Sequence, residues 1–159
     1  MQEPLSPSDD ELRACCAADA WLSRVALARP FPSVKAAADL SDEIVLGLDD
    51  AGLEQALSAH ARIGERRLGS TTEDRWSRSE QAGALAVDTD VQQRLVEGNL
   101  RYEERFGRVF LIRAAGRSAE EMLAALEERL GHDDETEGVV VRRELAEIVR
   151  LRLLKVVGA

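Results

Sequence analysis

One stretch decides the fold class of this chain, namely residues 139–157, VVVRRELAEIVRLRLLKVV. Its apolar residues recur at intervals of three and four, which is the period of an amphipathic helix and not of a strand. We therefore predict a final helix from about Val139 to Val157. One of its faces carries Val141, Leu145, Ile148 and Arg152, whereas Arg143, Glu147 and Arg150 share a charged face.

The composition of the 159-residue chain also favours helices. Hydrophobic residues make up 45% of the sequence, which suffices for one ordinary core, but aromatic residues make up only 4%. Ala, Leu, Glu and Arg are abundant, and they favour helices packed through aliphatic side chains over a β-sandwich. We predict an all-α fold: a compact multi-helix single domain over residues 1–159 with short loops, in which residues 1–8 form a flexible tail.

The charge balance and the apolar pattern exclude several classes of partner. The 30 acidic and 21 basic residues give a formal net charge of −9, which would repel a phosphate backbone, so we expect no nucleic-acid partner. No apolar run approaches the ~20 residues that span a bilayer, and we expect no membrane partner. Cys15 and Cys16 are adjacent and unsuited to a mutual disulfide. We expect a cytoplasmic protein.

Capping residues and helix terminators delimit the other predicted helices. Ser8 with Glu11 and Ser118 with Glu121 have the spacing of a capping box, and Gly107 is a natural terminator. In the first part of the chain, the predicted helices are one through the Leu12 region, one carrying Trp21, Leu22 and Val25, then Val34–Leu40 and Asp42–Leu48 with Ser33 and Ser41 as caps, and one from Asp49 or Asp50 to about His60. In the second part, they run from Ser77 to Val87, from Asp88 or Thr89 to Phe106, and from Ser118 to Gly131.

A short apolar run, residues 109–112 (VFLI), interrupts the helical pattern after Gly107. It is too short for a helix and rich in β-branched and aromatic residues. We predict a short buried extended segment there.

Few side chains in this sequence can transfer a proton near neutral pH. His60 stands at a predicted helix end before a Gly-containing loop, where it could be a general acid or base or could simply bind the last carbonyls of its helix. His132 lies beside three acidic residues and is interpreted as a solvated loop residue. Because the sequence has no CxxC or HExxH spacing, we expect no metal site.

Other polar residues also allow two interpretations. Ser77 and Glu80 form a capping-box pair, but the same helix start could bind an anionic substrate, and Gln81 is not explained by the cap. Asn99 falls on an apolar stripe with Leu95, where we favour a buried amide bonded to a neighbouring loop over a substrate contact.

Arg152 is the unusual residue of the last helix. An arginine on an apolar stripe either pairs with a buried carboxylate or reaches into a polar cavity, and the sequence leaves both alternatives open. Arg150, in contrast, is interpreted as a solvated surface charge.

In chain order, these residues resemble the pattern of the 2-oxo-4-hydroxy-4-carboxy-5-ureidoimidazoline (OHCU) decarboxylase family. The resemblance extends from about Trp21 to Leu154, and its separate motifs occur in the family's order. The matching motifs are His60-Ala61-Arg62-Ile63-Gly64, Ser77-Arg78-Ser79-Glu80-Gln81-Ala82-Gly83, Asn99 with Tyr102, Arg105-Phe106-Gly107, Phe110, Gly116 and Leu151-Arg152-Leu153. Ala61 is a departure, because the family usually has a proline there that would stiffen the backbone.

The resemblance implies a cofactor-free carboxy-lyase that converts OHCU to (S)-allantoin and CO2 in urate degradation, without pyridoxal, thiamine or metal. It implies a homodimer that is functionally linked to urate oxidase and hydroxyisourate hydrolase. The implied catalytic residues are His60 and Glu80, and the implied substrate-binding residues are Ser77, Gln81, Arg152, Phe110, Leu111 and Ile112.

Two rival interpretations use the same residues. A non-catalytic helical interaction module would explain the caps and the amphipathic helices, but not Gln81, Asn99 and Arg152 together. A related lyase acting on another ureido or hydantoin substrate would need the same polar groups.

Overall fold

A computed structural model of the protein describes residues 5–58 and 89–157, and most of these residues are helical. No strand is assigned in these two ranges, where Leu5 and Phe31 form an isolated antiparallel bridge. The all-α class is therefore confirmed. The helices are α1 (Asp9–Cys15), α2 (Asp19–Leu27), α3 (Val34–Leu46), α4 (Asp50–Leu57), α5 (Thr89–Phe106), α6 (Ala119–Arg129) and α7 (Asp134–Val157).

Side-chain caps explain where several helices begin. Ser8 and Ser118 each accept a hydrogen bond from the backbone N–H three residues later, at 3.1 Å, and Glu11 and Glu121 complete the two capping boxes. Asp49 caps α4 through the Gly52 N–H at 2.7 Å. Gly107 follows α5 with φ of +74°, a conformation that glycine adopts without strain.

Two of the predicted helix boundaries are wrong. Ser41 does not cap a separate helix but lies buried within α3, which runs without a break from Val34 to Leu46. The last helix begins at Asp134 instead of about Val139, because the acidic residues interpreted as a loop form its first turn, where carboxylates favour a helix N-terminus. The predicted helix over residues 77–87 lies outside the described residues.

The described residues cluster into two compact units. The first comprises residues 5–58 and 142–157, and in it α2 packs on α1, α3 and α4. Trp21 is fully buried in this unit, and its indole Nε1 donates a hydrogen bond of 3.0 Å to Ser41 Oγ. The hydroxyl that the sequence suggested as a helix cap therefore satisfies a buried indole.

Two arginines of α7 tie this helix to α3 and to the residues that follow α3. Arg150 Nη1 lies 2.6 Å from Asp42 Oδ2 and 3.4 Å from Asp39 Oδ1. Arg142 donates to the Leu48 carbonyl at 2.8 Å and pairs with an Asp50 carboxylate oxygen at 3.0 Å. The interpretation of Arg150 as a merely solvated charge is therefore wrong, since its half-exposed side chain joins two helices.

The second unit comprises, within the described ranges, residues 89–141 and has its own apolar core. Helices α5 and α6 pack against each other, and at Gly98 the packing is tight, because a Cβ atom there would collide with Leu126 Cδ2. The buried residues of this core are Leu95, Tyr102, Phe110, Ile112, Ala119, Met122, Leu123 and Leu126.

We predict that Gly98→Ala destabilises the protein, although alanine is the better helix former. Leu126 is fully buried and cannot move aside freely, so overpacking of about 1–3 kcal/mol outweighs a helix-propensity gain of roughly 1 kcal/mol. Urea or thermal unfolding should show a lower free energy of unfolding for this variant.

Gly47→Ala is the matched control, because a Cβ atom at Gly47 would make only ordinary contact, 3.5 Å from the Glu43 carbonyl oxygen. Its free energy of unfolding should change by less than about 0.5 kcal/mol. A Gly98→Ala protein as stable as the wild type would mean that α5 and α6 do not need this close approach.

Candidate functional site

The segment between α5 and α6 carries three of the predicted substrate-binding residues. Phe110, Leu111 and Ile112 are buried, and the chain from residue 109 to residue 114 forms neither helix nor strand. The predicted burial of this segment is confirmed, and although the prediction was of an extended segment, no strand is assigned to it. A segment without a regular hydrogen-bond ladder must satisfy its buried backbone groups in another way.

Arg129, in the last turn of α6, satisfies one of these backbone groups. Its Nη1 donates a hydrogen bond of 2.7 Å to the Leu111 carbonyl. The same guanidinium lies over the ring of Phe110, 4.5 Å from the ring centroid. Arg129 therefore contacts two successive residues of the segment.

Glu137, in the first turns of α7, is the anionic partner of Arg129. Arg129 Nη2 lies 2.6 Å from Glu137 Oε2, and Nε lies 2.9 Å from the same oxygen and 3.2 Å from Oε1. Both residues are almost completely buried, at 3% and 0% exposure. A charge buried this deeply is tolerated because it is paired and hydrogen-bonded.

Tyr102 and His132 complete the shell around Glu137. The Tyr102 hydroxyl donates to Glu137 Oε2, and His132 Nδ1 lies 3.2 Å from Glu137 Oε1. Burial raises the pKa of Tyr102 far above its usual value, and the neighbouring Glu137 carboxylate raises it further. Tyr102 therefore remains a protonated hydrogen-bond donor at neutral pH.

His132 was interpreted from the sequence as a solvated loop residue; it does lie in the turn between α6 and α7, but it is not solvated. Its side chain is only 24% exposed and faces the buried Glu137 carboxylate. The acidic residues that follow His132 suggested a loop, but the chain turns into α7 at Asp134 and brings Glu137 back towards the imidazole.

Arg152 lies in the first unit and is fully buried. Val141, Leu145 and Ile148 on the same face of α7 are at most 5% exposed. Arg143 and Glu147 on the charged face are exposed. The predicted contrast is confirmed for Arg152 against Arg143 and Glu147, whereas Arg150 is partly buried in its ion pairs.

Asn99 is also buried, at 2% exposure. Its Nδ2 donates a hydrogen bond of 2.6 Å to the Leu95 carbonyl of its own helix instead of the neighbouring loop that we expected, and within residues 5–58 and 89–157 its Oδ1 has no hydrogen-bond partner. A buried acceptor without a partner is uncommon in native proteins.

Four of the predicted site residues, His60, Ser77, Glu80 and Gln81, lie outside the described residues, as does Ala61. The described part of the second unit brings Phe110, Leu111 and Ile112 together with Arg129 and its partners. Arg152 belongs to the other unit.

Neither Arg129 nor Glu137 was singled out from the sequence, although a signal for both exists. Arg129 follows Ala119, Met122 and Leu126 at helical spacing on the buried stripe of α6. Glu137 precedes Val141 by four residues on the stripe that drew attention to Arg152. A charged residue on an apolar stripe is the same signal in all three cases.

No helix within residues 5–58 or 89–157 has the length and apolar character needed to cross a bilayer. In the same ranges, no group of three or more His, Cys, Asp or Glu side chains is arranged to hold a metal ion.

Comparison with known sequences yields consistent matches. A sequence model of the OHCU decarboxylase family matches residues 6–154. The uric acid degradation bifunctional protein TTL of Arabidopsis thaliana is 32% identical over 150 residues, which cover 92% of this chain and 46% of that protein. The 2-oxo-4-hydroxy-4-carboxy-5-ureidoimidazoline decarboxylase of Amia calva is 31% identical over 131 residues, covering 81% of this chain and 75% of that one.

Comparison with solved structures leads to the same family. The fold matches a crystal structure of OHCU decarboxylase in the presence of (S)-allantoin with a TM-score of 0.81 and 28% identity, over 96% of this chain and 100% of that one. The chain spans about half the length of the Arabidopsis protein and three quarters of the Amia protein. With a family match over nearly all of its length, the chain belongs to the OHCU decarboxylase family.

Proposed function

We propose that this protein is a cofactor-independent carboxy-lyase that converts OHCU to (S)-allantoin and CO2 in urate catabolism. The single observation that best supports this proposal is the family match over residues 6–154. The fold similarity to the OHCU decarboxylase structure solved in the presence of (S)-allantoin adds support.

The reaction suits a protein without a cofactor, because the substrate has its own electron sink. When CO2 leaves, the bonding electrons delocalise into the C=N bond of the imidazoline ring. The carbon that carried the carboxylate becomes a carbonyl as its hydroxyl loses a proton, and a proton joins the neighbouring carbon that bears the ureido group. The protein has to orient the substrate, stabilise its charge and deliver that proton to one face.

His60 is our proposed proton-transfer group. It would either remove the proton of the substrate hydroxyl or deliver a proton to the carbanion. Glu80 would assist as the second catalytic residue, and Ser77 and Gln81 would hold the ureido and ring amide groups.

The described residues would contribute in two ways. Arg152 would neutralise an anionic part of the substrate, and a guanidinium interacts more strongly with an anion when both are away from water. Backbone groups of Phe110–Ile112 would bind the substrate, and their burial outside any helix supports this role.

We further propose that residues 1–159 act as one cytoplasmic domain that forms a homodimer. Its substrate would come from the reactions of urate oxidase and hydroxyisourate hydrolase. The name of the Arabidopsis relative, a bifunctional uric acid degradation protein, supports this place in the pathway.

An assay with freshly generated OHCU tests the proposal. The purified protein should accelerate the decay of OHCU and yield optically pure allantoin, measured by absorbance and circular dichroism. An interaction module would change neither signal. A lyase for another ureido or hydantoin compound would leave OHCU unchanged but consume its own substrate.

We predict that His60→Ala and His60→Asn abolish turnover while the helical fold persists. A histidine at a predicted helix end beside a loop carries little core packing but would transfer the proton. Steady-state kinetics and far-UV circular dichroism check this. Wild-type turnover in either correctly folded variant would remove His60 from the mechanism.

We predict that dialysis against EDTA leaves the rate of decarboxylation unchanged, because the electron sink belongs to the substrate. The rate should be measured before and after dialysis, with a mock-dialysed sample as the control. A loss of activity that one divalent ion restores would contradict the metal-free mechanism.

We predict that substitutions of two arginines of α7 have different effects: those at Arg152 lower activity, and that at Arg150 lowers only stability. Arg152→Ala should lose a charge-assisted contact of ~1.5–3 kcal/mol, seen as a fall in kcat/KM, and Arg152→Lys should recover part of it because lysine lacks the planar fork. Lysine also keeps the buried positive charge, which protects the variant against misfolding.

Arg150→Ala is the control on the same helix. It should keep kcat/KM close to the wild-type value and lose only about 0.2–1 kcal/mol of stability with its partly exposed ion pairs to Asp42 and Asp39. Kinetics and thermal unfolding should be measured on all three variants. Equal losses of kcat/KM for Arg150→Ala and Arg152→Ala would show that the proposal places the wrong face of α7 at the substrate.

A further inference from the structure

We propose that Arg129 is a positioning residue for the substrate-binding segment Phe110–Ile112, and that Glu137 fixes Arg129 in turn. This inference rests on the proposed function for the role of the segment. The contacts that carry it lie entirely within the second unit.

The first argument is that the hydrogen bond from Arg129 holds the segment at its middle residue. The segment has no helical or strand ladder to define its path. The Leu111 carbonyl accepts from Arg129 Nη1 at 2.7 Å, so the orientation of this peptide group follows the guanidinium. The neighbouring peptide groups, which would face the substrate, are covalently coupled to it.

The second argument is the way the guanidinium divides its donors. Nη1 serves the Leu111 carbonyl, while Nε and Nη2 both serve the Glu137 carboxylate. A planar fork with fixed donor directions can hold both partners at once, whereas the single ammonium of a lysine cannot reproduce this geometry. Arg129 thus fixes the position of the segment relative to the start of α7, because it bonds to both.

The third argument concerns the orientation of Glu137. Tyr102 donates to its Oε2, and His132 lies against its Oε1, so both carboxylate oxygens have partners in addition to Arg129. The stacking of the guanidinium over Phe110 at 4.5 Å adds a second point of attachment to the segment. A pair that only joined α6 to α7 would not need either contact with residues 110 and 111.

The test compares Arg129→Lys with Tyr102→Phe. Both remove hydrogen bonds from the buried carboxylate, but Tyr102→Phe keeps the bond from Arg129 to Leu111 and the aromatic ring that packs against Phe110. We expect both variants to unfold at lower temperature. Only Arg129→Lys should raise KM for freshly generated OHCU, by about fivefold or more, while kcat changes less than about twofold, because backbone binding acts on ground state and transition state alike.

Hydrogen exchange provides a readout that does not depend on catalysis. Amides of residues 110–113 should exchange faster in Arg129→Lys than in Tyr102→Phe when the two are compared at equal thermal destabilisation. If the wild type fails to decarboxylate OHCU, the proposed function fails, and exchange alone then decides whether Arg129 positions the segment. Equal exchange in the two variants would overturn the positioning role.

Glu137→Gln keeps the test decisive if Arg129→Lys does not fold. The amide retains an acceptor for Arg129 but loses the charge, so KM should rise above that of Tyr102→Phe. A KM equal to that of Tyr102→Phe, or an Arg129→Lys enzyme with faster exchange but wild-type KM, would show that the network is structural only.

Discussion

The second unit of this protein depends on the buried ion pair between Arg129 and Glu137. Two opposite charges are removed from water, and this is tolerated because the donors and acceptors of both groups are occupied. The pair joins α6 to α7 and gives the irregular segment between α5 and α6 a hydrogen bond that its own backbone cannot supply. Packing alone, through Gly98 and Leu126, would bring α5 and α6 together without fixing that segment.

The fold was predictable from the sequence where local chemistry decides it. Capping residues such as Ser8 and Ser118 satisfy backbone groups within their own turn, so their effect is visible in a few consecutive residues. Ser41 was misjudged because its partner, the Trp21 indole, lies 20 residues away. The start of α7 was misjudged because acidic residues are common both in loops and in the first turn of a helix.

In the candidate site, too, features set by local sequence could be predicted and features set by tertiary contacts could not. Arg152 was recognisable because it interrupts an apolar stripe, and the structure buries it. Arg129 and Glu137 interrupt such stripes as well, but Glu137 falls on a stripe only when α7 is started at Asp134. Their pairing and the bond to Leu111 are tertiary contacts, which helical periodicity does not encode. The burial of Phe110–Ile112 was predictable, whereas the group that holds the segment was not.

Tyr102 is the single tyrosine of the sequence, and this gives the buried network a spectroscopic reporter of its own. Because burial and Glu137 raise the pKa of this phenol, the native protein keeps it protonated at a pH where a tyrosine in an unfolded chain, with a pKa near 10, has ionised. The contribution of Tyr102 to the free energy of unfolding is therefore fully present below the pKa of an unfolded tyrosine, and it is lost as the pH rises above that pKa. The ultraviolet absorbance of tyrosinate in an alkaline titration thus comes from one residue and follows the opening of the network around Glu137.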